Sequence, residues 1–219
     1  VTLTGTTVPS WLTFTASTGV LAGTPTNSEV GNHAVVITAT DAAGATVTDS
    51  YIIAVANTND APTVASAIAD VTNAEDAAYS LSVSGMCADV DAGDSLAYTI
   101  AGAPSTITIS GTTISGTPVN ADVGTHTITV TCTDDAGATA SDSYVLTVTN
   151  VNDAPDFTST AVTAATEDAA YTYTVTATDV DTGDSATLSG TTVPSWLTFT
   201  AATGAVSYTH LRAHETPIN

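Results

Sequence analysis

The chain has 219 residues, 22 of them acidic against a single Lys or Arg, for a formal net charge of -21. Phosphate binding needs Lys and Arg to displace counterions, so nucleic acid is excluded as a partner, and an anionic membrane surface is excluded for the same reason. A hydrophobic content of 43% separates the chain from charged disordered tails. Carboxylates at this density repel one another, so the neutraliser has to come from outside, as metal ions or high salt.

The first segment, TLTGTTVPSWLTFTASTGV at 2–20, returns as TLSGTTVPSWLTFTAATGA at 187–205, identical at 16 of 19 positions. Gly23-Thr24-Pro25 ends a strand, since Pro cannot donate to a ladder. Residues 33–40 and 50–56 alternate apolar and polar side chains and read as strands, joined across an Asp-Ala-Ala-Gly hairpin turn that begins at Asp41. The linker NTNDAP follows at 57–62.

Next, EDAAYSLSVSGMCADVDAGDS starts at Glu75, with Glu75-Asp76 opening the first strand of a unit, and it returns from Glu167 as EDAAYTYTVTATDVDTGDS. The run 22–64 returns at 115–157, offset by 93, with its own Gly-Thr-Pro, strands at 126–133 and 143–149, and linker NVNDAP at 150–155. These matches define a unit of about 92 residues, near the ~100 of an immunoglobulin-like sandwich. The reading is all-β, in tandem β-sandwich repeats. Residues 1–61 are the C-terminal part of one repeat, 62–154 a complete one, and 155–207 the N-terminal part of a third. Val1 falls in mid-repeat, so the true N-terminus and any leader are expected upstream. No stretch approaches the roughly 20 apolar residues of a membrane span, so no direct membrane insertion is expected.

The repeat predicts Gly-Thr-Pro at 208–210, but Tyr208-Thr209-His210 stand there. The stretch VSYTHLRAHET at 206–216 contains Arg212, the only Lys or Arg of the chain. It resembles the translated transposon-end adapter of sequencing libraries. Residues 208–219 are therefore read as a non-native tail that adds no strand.

The carboxylates recur at fixed points of the unit. Asp89, Asp91 and Asp94 (DVDAGD) repeat as Asp179, Asp181 and Asp184 (DVDTGD); Glu29 and Asp122 precede a strand, and Asp41 and Asp134 follow it. Oxygen-only clusters on turns, with no Cys or His interleaved, suit a hard cation such as Ca2+, whereas zinc would want thiolate or imidazole. An EF-hand loop fails, because position 12 counted from Asp89 is Ile100. The alternative is that these Asp and Asn residues only form turns.

PSWLTFTASTGVLAGTP, the VGxHxxxVTATD-type strand, the NxNDAP linkers and the DVDxGD turns together resemble bacterial cadherin-like repeats, of the dystroglycan type, and immunoglobulin-like modules. The resemblance implies calcium between consecutive repeats. Carried over by position, the first junction uses Glu29, Asn57, Asn59, Asp60, Asp89, Asp91 and Asp134. The second uses Glu75, Asp122, Asn150, Asn152, Asp153, Asp179 and Asp181. Both linkers begin with Asn where the cadherin linker has Asp, and the acidic pair before the strand is thinned to one residue, so weak affinity is expected, roughly 0.1–1 mM.

Cys87 and Cys132 stand where the neighbouring units have Ala177 and Ala39, each two residues ahead of a ligand candidate. The paired exchange points to a disulfide and an oxidising compartment, the alternative being two free buried thiols. His33 and His126 share a strand position and read as packing. Trp11 and Trp196 read as core anchors rather than sugar platforms. No catalytic residue is assigned. The expected protein is an extracellular or cell-surface adhesin-like array, a calcium-stiffened stalk whose partner is a protein or glycan ligand or a second copy. Its rivals are the non-catalytic, carbohydrate-binding repeats of a secreted enzyme and an acidic halophilic spacer without specific calcium.

Overall fold

The computed structural model describes residues 1–208. These residues are all-β, with two short 3₁₀ turns at Asn27–Glu29 and Asn120–Asp122. Among the described residues no helix is long and apolar enough to cross a membrane.

The first repeat comprises β1 (Thr2–Thr7), β2 (Leu12–Thr15), β3 (Val20–Gly23), β4 (Gly31–Thr40) and β5 (Thr46–Val55). β1, β4 and β5 form one sheet, and β2 with β3 a hairpin. The β4–β5 ladder runs in unbroken antiparallel register from Gly31↔Val55 to Thr40↔Thr46. Its residues are mostly Val, Ile, Thr and Ala, and the β-branched ones among them suit a pleated surface. The turn joining the two strands is closed by Asp41, whose Oδ1 accepts from the Ala43 and Ala45 amides at 2.9 Å each.

The middle repeat comprises β6 (Thr63–Val64), β7 (Val71–Ala74), β8 (Tyr79–Ser82), β9 (Cys87–Ala88), β10 (Ala97–Ala101), β11 (Ile107–Ser110), β12 (Thr113–Gly116), β13 (Gly124–Thr133) and β14 (Thr139–Thr149). Its sheets are β10-β13-β14-β7, β11-β12-β8 and the two-residue pair β6-β9. Burial alternates along β14, with Tyr144, Leu146 and Val148 inside, as the period of two requires. Every buried apolar side chain of the described chain except Val35 belongs to this repeat.

The third repeat comprises β15 (Asp156–Phe157), β16 (Thr172–Thr174), β17 (Ala177–Thr178), β18 (Leu197–Thr200) and β19 (Ala205–Tyr208), in the sheets β16-β19-β18 and β15-β17. Tyr208 pairs with Leu197 and so closes β19, although the sequence reading gives it to the tail. The rest of that tail, 209–219, lies outside the described residues.

By compactness the chain divides into two units. One is Val1–Val71 with Ser80–Ser115 and Thr127–Val145; the other is Thr72–Tyr79, Gly116–His126 and the described residues from Leu146 onward.

Glu75-Asp76 and Glu167-Asp168 do not open a strand as expected. Asp76 and Asp168 have φ of 58° and 59°, left-handed values that no extended strand carries. Glu75-Asp76 forms the turn between β7 and β8. His33 and His126 hold the 3₁₀ turns: their Nε2 atoms donate to the Glu29 carbonyl at 2.6 Å and the Asp122 carbonyl at 2.7 Å. Trp11 packs edge-on against His33 at 5.8 Å, whereas Trp196, 47% exposed, stands between the rings of Tyr171 and Tyr208.

Candidate metal centres

The compact unit that begins at Val1 gathers carboxylates from the first linker, the loop after β9 and the turn after β13. Asp134 is 6% exposed and closes its own turn, its Oδ1 accepting from the Ala138 amide at 2.7 Å. Its Oδ2 accepts from Asn59 Nδ2 at 2.9 Å. That Asn59 bond is the main reason the Asp134 carboxyl sits below its ordinary pKa, ahead of the turn amides and against the effect of burial. Asp60 donates its amide to Asp91 Oδ2 at 2.7 Å, and Asp91 donates its own to Asp89 Oδ1 at 2.9 Å. Asp89, Asp94 and Asp134 each present an oxygen, all within 4.8 Å of one another.

Satisfaction stops there. Asp89 Oδ2, Asp91 Oδ1 and Asp94 Oδ2 are cut off from solvent and have no hydrogen-bond partner. The Asp94 carboxyl is pushed above its ordinary pKa, first by burial and then by the charges of Asp135, Asp89, Asp91 and Asp134. An anion without a partner away from water is costly, and the one Lys or Arg of the chain, Arg212, lies outside the described residues.

The other unit repeats the pattern around the second linker. Glu75, only 1% exposed, accepts from the Val151 amide at 2.7 Å through Oε1, while its buried Oε2 has no partner. Asp153 donates its amide to Asp181 Oδ2 at 2.9 Å, and Asp181 donates to Asp179 Oδ1 at 3.0 Å, matching the Asp60–Asp91–Asp89 chain bond for bond. Two triads result, Glu75–Asp153–Asp181 and Asp179–Asp181–Asp184, each with its oxygens within 4.8 Å and with Asp181 common to both.

Of the residues expected at the first junction, Asn59, Asp60, Asp89, Asp91 and Asp134 come together; at the second, Glu75, Asp153, Asp179 and Asp181 do. Asn152 lies on the linker and donates to the Asp153 carbonyl at 2.9 Å, as Asn59 does to the Asp60 carbonyl at 3.1 Å. Asn57 and Asn150 are exposed. Glu29 turns inward on its own 3₁₀ turn: Thr26 Oγ1 donates to it at 2.6 Å, and the Thr26 amide and Ser28 Oγ each at 2.8 Å. Asp122, 9% exposed, likewise accepts from the Val119 amide at 3.0 Å.

Two kinds of participant are absent from the expected ligand sets. Asp94 and Asp184, the third acid of each DVDxGD turn, join the clusters because the turn folds back on itself, the Asp94 and Asp184 amides donating to the Asp91 and Asp181 carbonyls. Asn120 Nδ2 donates to Asp153 Oδ2 at 2.7 Å and Asp181 Oδ1 at 3.3 Å, and Asn27 Nδ2 donates to Asp60 Oδ2 at 2.7 Å. The available signal was repetition, since Asn27 and Asn120 hold one position of the Gly-Thr-Pro-x-Asn stretch.

The protein family described as "Putative Ig domain" matches residues 1–56, 61–149 and 154–215. Over 140 residues, 63% of this chain, the sequence is 36% identical to the "Serine-rich adhesin for platelets" of Staphylococcus aureus strain MRSA252, and similarly to that of strain MSSA476. The aligned part is 10% of the first of these relatives and 6% of the second. The fold is similar to the extracellular domain of protocadherin GammaB4, with a TM-score of 0.54 at 22% identity, over 94% of this chain and 37% of that one. Extracellular cadherin domains 1–5 of protocadherin Gamma B2 also give 0.54, at 16% identity, over 94% of this chain and 45% of that one.

Proposed function

Because the chain belongs to the Putative Ig domain family, we propose that it is a stretch of a non-catalytic, cell-surface adhesin-like repeat array whose junctions bind calcium and stiffen when they do. One observation carries this reading: four buried carboxylate oxygens, on Glu75, Asp89, Asp91 and Asp94, have no partner, and all lie in the clusters at the two linkers. The residues fit the ion. Calcium takes oxygen ligands at about 2.3–2.6 Å, so oxygens sharing one ion lie up to roughly 5 Å apart, and each triad keeps its oxygens within 4.8 Å. Both cysteines are joined to each other, leaving no thiolate for a softer metal.

Asp89, Asp91, Asp94 and Asp134, with Asp60, would hold the ion at the first linker; Glu75, Asp153, Asp179, Asp181 and Asp184 would hold it at the second. Glu29 and Asp122 would have to release their own 3₁₀ turns to join. Bound calcium supplies the positive charge that these sites lack. Without it the carboxylates repel one another and the linkers hinge; with it the linker amides, the DVDxGD turn and the preceding repeat are drawn to one centre. An array stiffened in this way spaces a binding head from the surface that carries it. The adhesin relatives support that role, with a protein or glycan surface, or a second copy, as partner.

Calorimetry with calcium chloride on the whole chain should show uptake, a rise in melting temperature that chelator reverses, and a stiffer particle in small-angle scattering. Asp153→Ala should remove the response of the second site and leave the first. A melting curve indifferent to chelator, with no calcium uptake, would overturn the proposal and leave an acidic spacer whose charge serves solubility in salt.

A further inference from the structure

The disulfide between Cys87 and Cys132 sits one side-chain period before the first calcium site. Asp89 follows Cys87 by two residues, and Asp134 follows Cys132 by two. Along extended chain, residues i and i+2 share a face. Crosslinking the two cysteines, with Cα atoms 6.6 Å apart, therefore sets the spacing of the two segments just before they deliver their carboxylates. β9 is two residues long and pairs with β6, while β13 pairs with β10 and β14. Among the described residues the disulfide is thus the covalent tie between the strand that feeds Asp89 and the strand that feeds Asp134. Both cysteines are buried, Cys132 completely. The loop after β17 in the third repeat carries the same acidic turn behind Ala177, with no crosslink.

We infer that Cys87 and Cys132 are positioning residues for calcium: their bond preorganises the first site, making it the tighter of the two, while the second site is ordered by the ion itself. This inference rests on the calcium reading above. Rigidity of the ligand set is one of the two properties that tune calcium affinity in a carboxylate site, ligand charge being the other. A site held in its bound geometry before the ion arrives loses less freedom on binding.

The test is calcium calorimetry on the full chain with one site disabled at a time. In an Asp181→Asn background, which leaves the first site, Cys87→Ala/Cys132→Ala should weaken calcium binding by about tenfold. In an Asp134→Asn background, which leaves the second, the same pair should change affinity by less than about twofold. The exchange installs the residue that neighbouring repeats carry at these positions, and titrations are run where circular dichroism shows each variant folded in chelator. If the alanine pair does not fold, the wild-type chain reduced by a dithiol replaces it. Two electrons and two protons then pass from the reagent to the sulfurs, giving two thiols and a cyclic disulfide, and alkylation counts the thiols. Three outcomes overturn the inference: a first site of unchanged affinity despite a lower melting temperature in chelator, equal weakening at both sites, or a tighter second site in the wild-type chain. No calcium uptake at either site of the wild-type chain would overturn the calcium reading as well, which separates that failure from the others.

Discussion

Gly102, at the end of β10, has φ of +80°, and a Cβ there would run into the Thr127 carbonyl oxygen. Backbone cannot swing aside as a flexible side chain does, so Gly102→Ala combines left-handed strain with overpacking. It should destabilise the chain by roughly 2–4 kcal/mol in urea unfolding. Glu29 is a different kind of residue-scale device. Hydrogen bonds from the Thr26 side chain first, then the Thr26 amide and Ser28, hold its carboxyl below the ordinary value of 4.5. A depressed acid contributes stability above its ordinary pKa and loses it as pH falls through the lowered one. Glu29→Gln should therefore melt below the wild type at neutral pH, and the gap should close as scans descend past the lowered pKa; a gap constant with pH would refute this.

At the scale of elements, the DVDxGD turns show a local fold serving a distant need. Each turn closes on itself through Asp amides and carbonyls, and that closure brings its third acid back beside the first two. In the absence of an ion, the half-buried Asp94 carboxyl is disfavoured as an anion, first by burial and then by the charges of four other carboxylates. Asp94→Asn should raise the melting temperature in chelator and lower calcium affinity at the first site, two changes of opposite sign from one substitution. A variant that loses stability in chelator would show that Asp94 is chiefly a turn former. Nearby, the disulfide closes a separation of 45 residues, worth about 4 kcal/mol in the chain-entropy account, which offsets how little ladder a two-residue strand provides.

For the whole molecule, the distribution of core decides autonomy. Every buried hydrophobic side chain but that of Val35 lies within 62–154, and none of those described falls in 155–207. A fragment 62–154 should unfold in a single cooperative transition, while 155–207 alone should show neither dispersed amide resonances nor a transition. A folded 155–207 would mean that its exposed Trp196 and Phe157 find cover unseen in this chain. With a net charge of -21 and screening lengths near 10 Å at about 0.1 M salt, added sodium chloride should also stabilise the calcium-free chain.

The all-β class, the long strands and the Cys87–Cys132 pairing were legible in the sequence. Alternation, turn chemistry and self-similarity are local or periodic, and a paired exchange of two alanines marks a contact without a fold. Most of the cluster membership was legible too, because the acids recur where linkers and turns recur. What only the tertiary structure decided was direction and depth. Glu75 sits in a turn with its side chain almost wholly inside, Glu29 bends back on Thr26 and Ser28, Asp94 and Asp184 join clusters assigned to their neighbours, and Asn27 and Asn120 donate into them. Each outcome depends on where a side chain points after the backbone has turned, and on which oxygens then find a donor. Side chains of one charge repel unless something stands between them, and spacing along the chain does not say which will be left without a partner.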